Sequence, residues 1–101
     1  MNKNPLFLSV LRSVQRALLF NIRPSFVAIS VDLSDYNVFL MRVQLDIEPD
    51  EDDKDLCFAA AAEVCGDFVE IRNSEVTFIT SNLICAVKDH FPALVYARAE
   101  N

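Results

Sequence analysis

Between Ser25 and Ile47 the chain alternates apolar and polar positions with a period of two. Val27, Ile29, Val31 and Leu33 fall on one side of an extended segment, with Ala28, Ser30 and Asp32 on the other. After Ser34-Asp35 the alternation resumes from Tyr36 to Ile47, with Phe39, Met41, Val43, Leu45 and Ile47 opposite Arg42, Gln44 and Asp46. Two such runs about a short polar turn predict a β-hairpin with one buried face. Upstream the period changes. From Pro5 to Leu19 the apolar positions Phe7, Val10, Leu11, Val14 and Leu18 recur at helical spacing, with Arg12, Gln15 and Arg16 between them. Pro5 suits a first helical turn, Asn4 is a candidate cap, and Arg23-Pro24 ends the segment, because a residue before proline avoids the helical region.

A second helix is predicted after Pro49. Asp50 stands three positions before Asp53 as a capping box, and Leu56 to Val64 is rich in alanine. Gly66, the only glycine, sits where a left-handed cap would want it. Beyond it, Val69–Arg72 and Val76–Thr80 read as short strands about a turn at Asn73-Ser74, and Leu94–Arg98 as a last strand. Pro92 closes a loop, and the apolar run Leu83–Val87 fits helix or strand. The order helix, hairpin, helix, strands predicts an α+β fold with two main helices packed on a mostly antiparallel sheet. A length of 101 residues, with no linker composition and no repeat, predicts one domain over residues 1–101.

Composition narrows the chemistry. The apolar fraction of 52% and charged fraction of 24% are those of a folded domain. A net charge of −6 argues against direct binding to nucleic acid or to anionic membranes. The apolar stretch Pro5–Leu11 is interrupted by Arg12 and Arg16 before it resembles a signal segment, and a cytoplasmic location is expected. Charge is also polarised. Residues 1–31 hold four bases and no acid, whereas Asp46 to Glu70 hold ten carboxylates against Lys54 alone.

That acidic run lacks the spacing and central glycine of a calcium loop, and Pro49 interrupts it. Cys57, Cys65 and Cys85 form no CxxC pair and no ligand set with the single His90. They read as small buried apolar groups. No nucleophile signature is present, so no catalytic residue, metal or cofactor is expected. Glu63 and Asp67 share a helix face four positions apart, and read as surface carboxylates or as partners of an arginine. Arg23 and Arg42 are the candidate partners of Glu63. One or two acids suffice to favour the positive end of a helix, by about 0.3–1 kcal/mol each. The crowding of Asp50, Glu51, Asp52, Asp53 and Asp55 exceeds that need and points to a basic partner, with solubility as the alternative explanation.

Several stretches resemble one family of small proteins. Glu51-Asp52-Asp53-Lys54-Asp55-Leu56 followed by Glu63-Val64-x-x-Asp67-Phe68 is similar to the middle helix of immunity proteins that accompany bacterial polymorphic toxins of the contact-dependent growth-inhibition type. Val10-Leu11-Arg12, Arg23 and the closing Val95-Tyr96, Arg98 and Glu100 also resemble that pattern. The resemblance implies a non-enzymatic inhibitor that binds one cognate toxin domain, often a nuclease with a basic cleft. Asp50, Glu51, Asp52, Asp53, Glu63, Asp67 and Glu70 are the expected partner-binding residues. A different expectation also fits: a structural or adaptor subunit that assembles through a sheet edge, with Tyr36–Ile47 as the edge strand.

Overall fold

The computed structural model describes residues 5–19, 21–80 and 93–97. The Asn4 cap, Leu83–Val87, Cys85, His90, the Pro92 loop, Arg98 and Glu100 lie outside them. Helix α1 spans Pro5–Leu18 and strands β1 and β2 span Phe26–Leu33 and Val38–Leu45. Helix α2 spans Glu51–Gly66, strand β3 Asn73–Thr80 and strand β4 Ala93–Ala97. The four strands form one mostly antiparallel sheet in the order β3-β2-β1-β4, so the fold is α+β as the periodicities predict.

The β1–β2 hairpin turns on Ser34 and Asn37. The Ser34 hydroxyl accepts from the Tyr36 and Val38 amides at 3.2 and 3.0 Å. Asn37 adopts a left-handed φ of 60°, which asparagine tolerates better than most residues. The pairing then sets Leu33 against Phe39, Val31 against Met41 and Ile29 against Val43, all facing the core. The alternation breaks at the start of β1. Phe26 pairs with Leu45 and Ala28 with Gln44, leaving Val27 as the extra residue of a bulge. The bulge turns Phe26 into the core cluster in the place that strict alternation assigns to Val27. The expectation of one buried hairpin face also needs correction. β1 lies between β2 and β4, and its second-face residues Ala28 and Ser30 are buried as well.

The return from α2 differs from the sequence reading. Asn73–Thr80 is one strand running parallel to β2 in unbroken register, Val38 with Asn73 through Leu45 with Thr80. Residues 69–72 are not a strand; they belong to the turn, where the Ile71 amide donates to the Phe68 carbonyl at 3.2 Å. Ile71 plugs the core at this corner. Parallel neighbours cannot be joined by a tight hairpin, and α2 supplies the crossover between β2 and β3. Asn73 and Ser74 lie inside the strand, where the Asn73 carboxamide accepts from the Ser74 amide.

Both helices pack on one face of the sheet. α1 buries Phe7, Val10, Ser13, Val14, Ala17 and Leu18. α2 buries only Asp53, Cys57, Ala60, Ala61 and Val64, a narrow stripe of mostly small side chains that lets its backbone lie close to the strands. Gly66 ends α2 in right-handed conformation, and Asp67 is the C-cap, so no left-handed glycine cap forms.

Candidate functional site

Helix α2 carries the acids, and its first turn shows how they are used. Asp50 is the N-cap; its Oδ1 accepts from the Asp53 amide at 2.8 Å. Asp53 Oδ2 accepts in return from the Asp50 amide at 3.1 Å, closing the capping box. Asp53 is only 2% exposed. Its other oxygen lies 2.9 Å from Arg23 Nε, without the alignment of a hydrogen bond, so the contact is Coulombic. Arg23, on the α1–β1 connection, keeps a side-chain exposure of 36% and reaches the carboxylate from the solvent side. Around this pair lies an open cavity of about 370 Å³, with Pro24, Ser25, Asp46, Ile47 and Asp50 on its walls. One helical turn further in, burial and then the negative charge of Asp53 push the Cys57 thiol up to about 12, so it stays protonated and inert. Cys65 is half-buried and also carries a free thiol.

The far end of α2 is organised differently. Asp67 Oδ2 accepts from the buried Ser13 hydroxyl at 2.5 Å and faces Arg16 Nη2 at 3.3 Å. A carboxylate at a helix C-terminus opposes the macrodipole. Asp67 therefore serves the junction of α2 with α1 rather than α2 alone. Glu63 is exposed and joins Arg16, Leu19, Asn21 and Asp67 around a cavity of about 420 Å³. It contacts neither Arg23, which pairs with Asp53, nor Arg42, which donates to Thr77 Oγ1 at 3.2 Å.

The seven expected residues thus divide. Asp50, Glu51 and Asp52 are exposed at the start of α2, while Glu63, Asp67 and Glu70 are exposed at its end. Seventeen positions separate Asp50 from Asp67, about 25 Å along a helix axis. Asp53 is removed from the surface by its pairing. Asp52 and Glu63 lie eleven positions apart, about 20° around the helix, so one solvent face connects the two groups. Asp55 is exposed on that face as well.

Phe58 is a surface residue that sequence reasoning passed over. It is 49% exposed and meets Phe78 of β3 edge-on, with ring centroids 6.0 Å apart. Its signal was a large aromatic group placed off the buried stripe of an alanine-rich helix. Tyr36 and Val69 are more than nine-tenths exposed, whereas Phe68 packs against the core. Among the described residues no three histidine, cysteine or acidic groups are placed to hold a metal ion. Nor is any helix among them long and apolar enough to cross a membrane.

Comparison with known proteins gives one assignment. The sequence model of the family described as MafI2 immunity protein matches residues 8–100. No curated protein matches the chain.

Proposed function

The chain belongs to the MafI2 immunity protein family, and from that membership we propose that it binds and neutralises one cognate bacterial toxin domain, a nuclease with a basic substrate cleft. It acts by occupying the toxin's surface rather than by catalysis, in the cytoplasm, as the protective half of a contact-dependent growth-inhibition pair. The observation that carries the docking mode is the solvent face of α2. Glu51, Asp52, Asp55 and Glu63 are all exposed there, in a segment with a single base. A cleft built to hold a phosphate backbone presents lysine and arginine in rows. A row of carboxylates meets the same basic groups and pairs with them in place of the phosphates.

Asp50, Glu51, Asp52, Glu63, Asp67 and Glu70 supply the complementary charge in this reading. Asp53 acts from inside the fold, holding the helix start in place. The exposed apolar groups Tyr36 and Ile47 add contact area that slows release. The alternative assembly through Tyr36–Ile47 loses its basis, because β2 lies between β1 and β3 and has no free edge.

Stopped-flow mixing with a purified cognate toxin domain tests the reading. Charge steering makes the association rate fall about tenfold or more between low and high salt, with little change in dissociation. An association rate that ignores salt removes the acidic face as the docking surface. A toxin nuclease left fully active by excess of the chain removes the reading itself.

A further inference from the structure

We propose that the outer edge of β3 receives an extended segment of the cognate toxin as a fifth strand, with its basic side chains toward Glu75 and its apolar ones against Phe58 and Phe78. The proposal rests on the toxin-binding reading and specifies where and in what conformation part of the toxin docks.

Among the described strands β3 ends the sheet and makes its ladder with β2 alone. Among the described residues no strand pairs with its other side, so alternate amides and carbonyls there are available to a backbone. The edge is eight residues long, about 26 Å at 3.3 Å per residue, whereas β4 at the opposite edge has five. Strand edges are usually blunted by proline, bulges or several charges. β3 has no proline, an unbroken register and one charge, Glu75.

The side chains around the edge define the occupant. On the helix side Val76 and Phe78 are only half-buried, and the half-exposed Phe58 ring stands edge-on to Phe78 as an apolar shelf. On the other side Glu75 and Thr77 are exposed. Glu51 and Asp55 stand seven and three positions before Phe58, on the same stripe of α2, and both are exposed. Lys54 on the flank is the only cation of that helix. An incoming strand therefore meets apolar surface at Phe58 and Phe78, flanked on the helix side by Glu51 and Asp55. On the other side Glu75 stands at the edge, and the Arg42 guanidinium there is turned onto Thr77 Oγ1 at 3.2 Å. Alternating basic and apolar residues satisfy both. A second copy of this chain fits less well, since it would bring a charge of −6 to a charge of −6 and line up Glu51, Asp55 and Glu75 of both copies along one seam.

Amide hydrogen exchange on the labelled full chain, free and with the purified cognate toxin domain, tests this directly. Outward-facing amides at alternate positions in β3 should slow about 100-fold on complex formation, while the inward ones, already bonded to β2, change less. Glu75→Lys should weaken toxin binding about tenfold with an unchanged melting temperature. A complex that forms while β3 exchange stays as in the free chain overturns the edge proposal and leaves the toxin reading standing. Absence of any complex overturns both. Slowing in the free chain that grows with its concentration identifies a second copy at this edge and also overturns the proposal.

Discussion

Asp53 is charged, sits among charged neighbours, and is nevertheless buried. Its carboxylate completes the cap of α2 and faces Arg23, so it tolerates burial only while that partner stands. The two sides of the pair are unequal, because Arg23 keeps contact with water and Asp53 does not. Arg23→Ala should therefore cost about 3 kcal/mol, leaving a buried carboxylate uncompensated, while Asp53→Asn should cost about 1 kcal/mol. Urea melts of both variants, and of the double variant, measure this. A double variant no less damaged than Arg23→Ala alone would contradict the pairing. Cys57 is tied to the same carboxylate. Its thiol is held up to about 12 in the fold against about 8.5 in an unfolded chain, so the unfolded state loses its proton first. Stability on this account is intact below about pH 8.5 and declines as pH rises toward 12, by at most about 1.4 kcal/mol per pH unit. The native chain should resist alkylation at Cys57 at pH 8 and accept it once unfolded. Rapid native modification at that position would refute the burial argument.

Helix α2 illustrates where local signals suffice and where they stop. The Asp50–Asp53 box placed its start correctly because a cap is a contact between residues three apart. Gly66 misled, since a glycine near a helix end favours a left-handed cap only if the chain must turn there. Here Gly66 is itself the last helical residue, Asp67 caps it in right-handed conformation, and an added Cβ at Gly66 meets no atom within 4 Å. Gly66→Ala should accordingly raise stability by about 0.5–1 kcal/mol, read as a higher urea midpoint at constant slope. An unchanged or lower midpoint would mean that Gly66 has a role outside the chain's own fold. Ala60 and Ala61 carry the opposite expectation. Both are buried on the core side of α2, and Ala60→Leu should destabilise by about 1–3 kcal/mol through overpacking.

Charge acts over the full length of the protein, and the two acidic groups at the ends of α2 differ in how free they are. Asp67 already serves Arg16 and the Ser13 hydroxyl, whereas Glu51, Asp52 and Asp55 stand exposed near the start. Neutralising Glu51, Asp52 and Asp55 together should slow toxin association about tenfold and leave the melting temperature within a few degrees. Asp67→Ala should lower stability by about 1 kcal/mol, because the buried Ser13 hydroxyl loses its acceptor. Equal slowing from Glu63→Gln alone would place the docking centre at the far end of the helix instead.

α1, the β1–β2 hairpin, the start of α2 and the strand at Val95-Tyr96 were legible from residue order, because each depends on neighbours a few positions apart. The acidic segment and the family pattern at Glu51–Leu56 and Glu63–Phe68 were legible for the same reason, since both are linear. Other features needed the assembled chain. Asn73–Thr80 runs parallel to β2 because α2 carries the chain back across the sheet before β3 begins, and no turn sequence encodes that choice. β2 became an interior strand and β3 an edge through that same crossover. Arg23 found Asp53 rather than Glu63 because packing brings the α1–β1 connection to the start of α2, thirty positions away in sequence. Periodicity reports which side of an element avoids water. Which elements then meet is decided by how their buried stripes fit together in three dimensions, and from that fit follow the partners of individual charges and the strand left at the edge.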